Sequence, residues 1–401
     1  MYIRNLSLRH FRTYSRLEID FPAAPILLLG ANAQGKTSLL EAIAYLALGR
    51  SPLTNTDRQL IHWSATTSGM PFAQVQAEVQ KQQHSEVLEI VLQRSQLSNG
   101  NTRLDKRIRV NQKAVRRAAL AGHLNVVVFM PRDVALVGGP PSARRRNLDD
   151  LLSQVYPEYI TALTEYQRTI SRRNALLRHL GERRGDMAQL DPLEEQLAQT
   201  GVQISLYRRR VLAALSSHAD RFHQELTGGA AWLRLAYRPN FDPLKPPALD
   251  YQLGLLPETA PSPVDVSALQ QAYREMFLRR RPEELRRGVT LTGPHRDEIR
   301  FLSEEVDLGT YGSRGEQRTA VLALRLAELR WLQQQTGEAP VLLLDEVLAE
   351  LDRERRKYLL GLVNHVEQTI LATTDVEMFP EAFRRKTQQF EVAGGIITPV
   401  K

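Results

Sequence analysis

Residues Gly30-Ala31-Asn32-Ala33-Gln34-Gly35-Lys36-Thr37 spell G-x-x-x-x-G-K-T, and their flanks leave few folds open. Ahead of them, Ile26 to Leu29 is a short apolar run that reads as a buried strand. Behind them, Ser38 to Leu48 carries Leu39, Ile43, Leu46 and Ala47 at helical spacing. Strand, glycine loop and helix form the setting in which this motif grips a nucleotide phosphate. Gly30 and Gly35 let the backbone wrap an anion with no Cβ in the way. The loop amides and the helix N-terminus supply partial positive charge. Lys36 is expected to reach the β- and γ-phosphates of ATP, and Thr37 to place its hydroxyl on Mg2+.

Two further segments belong with this loop. Pro340 precedes Val341-Leu342-Leu343-Leu344, which fits a strand buried on both faces of a parallel sheet, and then Asp345 and Glu346. Asp345, at the carboxyl end of that strand, is placed to hold Mg2+ directly or through water. Glu346 is a candidate base that orients the attacking water. The bland reading is a pair of solvated acids capping a core strand. The remaining segment is Ser313-Arg314-Gly315-Glu316-Gln317. Ser313 with Glu316 three residues on is a capping box, and the helix it opens carries Ala320, Ala323, Leu324, Ala327 and Trp331 on one face. Such a helix start is a second anion cradle. One P-loop already satisfies its own phosphates, so a second cradle points to a γ-phosphate arriving from another molecule.

Other classes remain open from these residues. A P-loop kinase or GTPase acting on a small molecule would need no second cradle, and the chain has no N-K-x-D guanine motif. A DNA-binding structural protein with a vestigial ATPase would not need Lys36, Thr37, Asp345 and Glu346 together. His295 reads equally as a turn residue or as a contact that couples parts of the chain.

Bulk properties narrow the partners. The 401 residues are 42% hydrophobic, enough for one large core or two lobes. No stretch approaches twenty apolar residues, so no membrane span is expected. Met1-Tyr2-Ile3-Arg4 runs straight into strand-like alternation with no signal peptide, and there are no cysteines, so disulfides and thiolate metal sites drop out and a cytoplasmic location is expected. The formal charge of +8 suits a polyanionic partner. Arginines cluster between the two halves of the nucleotide site: Arg144, Arg145 and Arg146, then Arg172 and Arg173, with further groups at Arg208 to Arg210 and Arg279 to Arg281. Few aromatics interleave with them, which favours backbone contact with duplex DNA over base stacking. The competing reading is that these arginines pair with neighbouring acids on helix surfaces.

Residues 1–125 read as a mixed, β-rich lobe that 335–401 rejoin, and 126–334 as a helical, basic lobe carrying Ser313. Helices are expected at Leu148 to Leu152, Pro157 to Leu180 and Asp191 to Glu225, the last interrupted near Gly201. Residues 239–263 hold seven prolines and read as an irregular connection. No long heptad run lies between the P-loop and Ser313.

Several stretches resemble one family. Tyr2-Ile3-Arg4-Asn5-Leu6 and Phe11-Arg12-Thr13-Tyr14 look like the start of the SMC-type ABC ATPases. Leu39-Leu40-Glu41-Ala42-Ile43, Phe129-Met130-Pro131-Arg132-Asp133, Pro141-Ser142-Ala143-Arg144-Arg145-Arg146, Arg172-Arg173-Asn174-Ala175-Leu176-Leu177 and Gly293-Pro294-His295-Arg296-Asp297 are similar, more narrowly, to the RecF family of bacterial recombination mediators. The resemblance implies an α/β, two-lobed ABC-type ATPase head without coiled-coil arms. It implies ATP and Mg2+ as ligands, weak DNA-stimulated turnover, and an ATP-dependent homodimer in which Ser313 and Gly315 act in trans and Asp352 lies at the seam. Double-stranded DNA, single-strand/duplex junctions, RecR, RecO and the loading of RecA during repair and the SOS response belong to the same implication. Three positions depart from the family pattern. Asp345-Glu346 stands where two aspartates are common, Ser51-Pro52-Leu53-Thr54 replaces a more polar stretch, and Thr373-Thr374 occupies the switch position where many ABC ATPases place histidine.

Overall fold

Apolar strands without alternation must be covered on both faces, and the central sheet of this chain is built that way. The computed structural model describes residues 1–66, 71–96, 102–182, 185–244, 265–363 and 366–400. Among these, β3 (Ile26–Leu29), β8 (Val126–Phe129), β12 (Val341–Asp345), β13 (Thr369–Thr373), β14 (Gln388–Ala393) and β15 (Ile396–Pro399) form one sheet in the order β15-β14-β3-β13-β12-β8. It is parallel from β14 to β8, with β15 antiparallel at the edge. Alternate residues of its strands feed two different cores. Ile26, Leu28, Val341, Leu343, Ile370 and Ala372 face one. Leu27, Val127, Phe129, Leu342, Leu344 and Leu371 face the other. At about 1.5–3 kcal/mol per buried Leu or Ile, this two-sided burial is what fixes the sheet.

The first core is closed by a second, antiparallel sheet. Its strands are β1 (Tyr2–Phe11), β2 (Tyr14–Asp20), β4 (Phe72–Gln80), β5 (Ser85–Gln96), β6 (Thr102–Val110) and β7 (Lys113–Val115), in the order β2-β1-β4-β5-β6-β7. Along β4, Ala73, Val75, Ala77 and Val79 are buried and the residues between them are not, as a one-sided sheet requires. Helix α1 (Lys36–Leu48) packs between the two sheets, which is why every residue from Leu39 to Leu48 is buried rather than one stripe.

The other core belongs to helices α2 (Ala135–Gly138), α3 (Pro141–Ser153), α4 (Pro157–Glu182), α5 (Asp191–Thr227), α6 (Val266–Arg287) and α7 (Arg314–Thr336). Strands β9 (Arg234–Arg238), β10 (Glu298–Ser303) and β11 (Val306–Asp307) make a small sheet beside them. Helices α8 (Arg353–Val363) and α9 (Glu381–Arg384) lie in the returning segment.

Three expectations need correction. Helix α3 begins at Pro141 rather than near Leu148, because proline at the first helical position starts the turn that carries the arginines. Helix α5 is continuous through Gly201: that glycine sits where Tyr166 and Tyr273 approach the helix, so it marks a close contact and not a break. Val126–Phe129, placed with the helical lobe by the expected boundary, pairs in parallel with β12 and completes the sheet that carries the P-loop. Of the proline-rich stretch, residues 245–263 lie outside the described residues.

Candidate nucleotide site

The P-loop joins β3 to α1, and its shape depends on two glycines. A Cβ on Gly30 would come 2.3 Å from the Val392 carbonyl oxygen of β14, and Gly35 has φ +120° with Thr13 and Tyr14 packed on it. Tyr14 donates its hydroxyl to the Gly35 carbonyl at 3.0 Å. Gln34 takes the turn between β14 and β15: its side-chain oxygen accepts from Gly394 N at 2.7 Å and its carbonyl from Gly395 N at 3.1 Å. The loop is thus braced from both ends of the chain. Ala31, Asn32 and Ala33 form its exposed crest, Ala33 with φ 63°, and Ser38 follows in the first turn of α1.

Lys36 is buried, and its Nζ donates to the carbonyls of Gly30 at 2.6 Å and Ala31 at 3.1 Å while pairing with Glu346 Oε1 at 3.0 Å. Thr37 Oγ1 donates to Asp345 Oδ2 at 2.8 Å, so the two expected Mg2+ ligands touch although 308 residues separate them. Asp345 Oδ1 is buried with no hydrogen-bond partner. Burial pushes the Asp345 carboxyl above the usual range, with the Glu346 charge adding to this and Thr37 and Lys36 opposing it. A hard cation suits this set: an orphaned carboxylate oxygen beside a hydroxyl, with water and phosphate left to complete the octahedron. Among the described residues no cluster of three or more acidic, His or Cys side chains could hold a metal alone.

Glu346 has φ 53°, a left-handed conformation that costs a non-glycine residue about 1 kcal/mol or more and tends to occur where a side chain must be aimed. Its N–H is held by the Ala372 carbonyl at 3.0 Å, and its Oε2 accepts from Thr374 N at 3.3 Å. The Thr373 hydroxyl is taken up by Asp375, which donates N–H to it at 3.2 Å. At the switch position, therefore, a backbone amide rather than a side chain reaches the candidate base.

Ser313 caps α7: its Oγ accepts from Glu316 N at 3.3 Å, and Glu316 Oε2 accepts from Ser313 N at 2.8 Å. Ser313, Arg314, Gly315 and Glu316 are exposed, while Gln317 turns inward to the Leu308 carbonyl at 2.9 Å. Among the described residues none of Ser313 to Gln317 bonds to the P-loop, Asp345 or Glu346. Asp352 accepts from Arg355 N at 2.9 Å at the start of α8 and pairs with the Arg355 guanidinium.

The arginines divide. Arg173 is fully buried between Glu194 and Glu284, 2.7 Å from each, and cannot meet a DNA phosphate. Arg144 is likewise spent on Glu298 at 2.8 Å and on the carbonyls of Leu136, Val137 and Gly139. Both expectations of DNA contact are corrected by acids distant in sequence. Arg172 is exposed. Arg145 and Arg146 line a cleft where the α1–β4 connection meets α3. The Gly293–Asp297 motif is held in a buried network: Pro294 O and Asp297 receive the buried Arg208, which also pairs with Asp149 at 2.9 Å, and Tyr166 bonds His295 Nδ1 at 2.8 Å. The bracing by Thr13, Tyr14 and the Gly394-Gly395 turn has no local sequence signal beyond the Phe11-Arg12-Thr13-Tyr14 motif, because its partners lie far along the chain.

Comparison with known proteins agrees with this geometry. The model of the RecF/RecN/SMC N terminal domain matches residues 2–398. A DNA replication and repair protein RecF of Chloroflexus aggregans is 40% identical over 405 residues, covering 98% of this chain and 99% of that one. Its counterpart in Herpetosiphon aurantiacus is 39% identical over 408 residues and covers both chains fully. The solved structure of the recombination mediator protein RecF with ATP, from the RecFOR pathway, superposes with a TM-score of 0.81 at 27% identity over 100% of this chain and 98% of that one. Two-lobed architecture, P-loop sheet and capped α7 are those of an ABC-type ATPase head without a long coiled coil, and the chain belongs to the RecF family.

Proposed function

We propose that this chain is an ATP-dependent clamp on duplex DNA that acts in recombinational repair. The observation that carries the reading is the split site: Lys36, Thr37, Asp345 and Glu346 converge on the P-loop, while the Ser313 cradle faces outward from the same chain. Two copies related by a two-fold axis would each complete the other's site.

In that arrangement Lys36 releases the Gly30 and Ala31 carbonyls and takes phosphate oxygens in their place. Thr37 and Asp345 hold Mg2+, which supplies positive charge against the phosphates when bound. The partner's Ser313 and Gly315 donate to the terminal phosphate, and Asp352 lies at the seam. Glu346 orients the water, supported by the Thr374 amide. Turnover is weak and serves to open the clamp. The net charge of +8 supports a nucleic-acid partner. Likeness to a recombination mediator of the RecFOR pathway and to DNA replication and repair proteins supports the repair role; work beside RecO and RecR at gapped DNA, with RecA loaded there in the cytoplasm, is part of the proposal.

The test is light scattering of the Glu346→Gln protein with and without ATP·Mg2+, at low salt, with and without duplex DNA. A doubling of mass that needs ATP is expected. A monomer under every condition would reduce α7 to an ordinary capped helix and sink the clamp.

A further inference from the structure

The α1–β4 connection and helix α3 enclose a cleft of about 400 Å³ outside the nucleotide site. Four arginines line it. Two are neutralised by ion pairs, Arg50 with Asp150 and Arg208 with Asp149 and Asp297. The lining carboxylate of Asp57 is held by Lys106 at 2.9 Å. That leaves Arg145 and Arg146, which among the described residues have no carboxylate partner. Arg145 donates from Nη1 to the Asp297 carbonyl at 2.7 Å. Arg146 donates from Nη2 to the carbonyls of Ser51 at 2.6 Å and Thr54 at 3.2 Å, and from Nη1 to Asn55. Its Nε is buried with no partner.

Both guanidiniums are part-buried and bond directly only to neutral oxygens, while the carboxylates of Asp297, Asp149 and Glu298 act on Arg145 and that of Asp150 on Arg146 at longer range. Burial lowers the pKa of each, and the charges of Arg208 on Arg145 and of Arg50 on Arg146 lower them further, against the partial opposition of these carboxylates. The start of α3 lies at the same place, with Ser142 in the lining, so the helix dipole adds positive potential. The planar forks suit phosphate, and because Arg145 and Arg146 are only part-buried a phosphate can reach them from solvent.

We propose that this cleft is a phosphate site, with Arg145 and Arg146 as its ligands, and that it takes one backbone phosphate of the DNA held by the clamp. The proposal deepens the DNA-clamp reading and rests on it for the source of the phosphate. A free nucleoside monophosphate carries the same chemistry.

The cleft wall is tied to the nucleotide site. Ser51 Oγ accepts from Leu53 N at 2.9 Å and Thr54 N at 3.1 Å and donates to Glu41, in the middle of α1. Glu41 in turn holds Arg12 through two bonds of 2.7 and 2.8 Å. The loop that Arg146 grips therefore hangs from the helix whose first residues are Lys36 and Thr37. Occupancy of the cleft has a short rigid path to the P-loop.

The experiment uses the full-length protein in the Glu346→Gln background, saturated with ATP·Mg2+. Duplex binding is followed by fluorescence anisotropy across a potassium chloride series, and labelled dAMP binding by equilibrium dialysis. Arg145→Gln and Arg146→Gln are each expected to weaken duplex binding about tenfold and to flatten the slope of log K against log salt by about one, the signature of one lost phosphate contact. Arg145→Lys, which keeps the charge and loses the fork, should fall between, and it keeps the test alive if a glutamine variant fails to fold. If dAMP instead binds one per chain and both variants lose it, the phosphate site stands with a free nucleotide as its source. Wild-type affinity and slope in both variants, with no dAMP bound, would overturn the site. A wild-type protein that binds no duplex would sink the clamp reading, and the dAMP measurement alone would then decide the cleft.

Discussion

Asp345 shows what a metal-ready residue costs its own fold. Its carboxylate is buried, one oxygen is unpartnered, and its pKa is raised by burial and by Glu346, so the ionised form is disfavoured in the folded chain. An acid with a raised folded pKa loses stability as pH rises from its unfolded value through its folded one, and the penalty is complete above the folded value. Asp345→Asn keeps an acceptor for Thr37 and removes the charge. Without nucleotide or Mg2+ it is expected to melt about 2 °C higher than the wild type while losing Mg2+-dependent nucleotide binding. A lower melting temperature by calorimetry would show that the carboxylate stabilises the site. His295 carries the opposite dependence. Burial, then the charges of Arg296, Arg145 and Arg208, bring it down to about 4, although its bond to the Thr290 carbonyl pulls the other way. Between its ordinary value and about 4 the unfolded chain binds the extra proton, so this share of stability is present above pH 6.5 and is lost as pH falls. Urea titrations at pH 7, 6 and 5 should show the wild type losing on the order of 1–2 kcal/mol more than His295→Gln. Parallel losses would place the acid sensitivity elsewhere.

At the scale of elements, what could be read from sequence was local and what could not depended on neighbours far along the chain. The strand before the P-loop, the doubly covered Asp345 strand and the Ser313–Glu316 capping box are each written within a few residues, and each forms as expected. The fates of Arg144 and Arg173 are set by Glu298, Glu194 and Glu284, which adjoin them only after folding. Gly201 carries the same lesson. Read locally, a glycine inside a long polar helix is a break; in the folded chain it sits beneath Tyr166 and Tyr273 within a continuous α5. A Cβ there would meet both rings at 3.5 Å, ordinary contact, with no positive φ to strain. Gly201→Ala should therefore stabilise the helical lobe by up to about 1 kcal/mol through helix propensity, and Gly201→Leu should destabilise it by overpacking. Chemical denaturation of both variants decides this. Loss of stability in the alanine variant would mean that the rings tolerate no added atom.

At the scale of the whole molecule, the proposed clamp treats the P-loop and the Ser313 cradle as two halves of one nucleotide site, and it stands or falls on whether they meet between copies. Complementation separates this from a one-chain site. In a symmetric sandwich each site joins Lys36 of one chain to Ser313 of the other. A chain with Lys36→Ala and a chain with Ser313→Arg are then each inactive alone, because every site in either homodimer carries one defect. In the mixed dimer one site takes Lys36 from the second chain and Ser313 from the first and is intact, and the other site carries both defects. Equal mixing puts half the chains in mixed dimers with half their sites whole, so turnover per chain should recover to about a quarter of the wild-type value. The recovery should also fall when one partner is in large excess, since homodimers then dominate. If each site were made within one chain, mixing would restore nothing at any ratio, and DNA binding would have to be explained without closure.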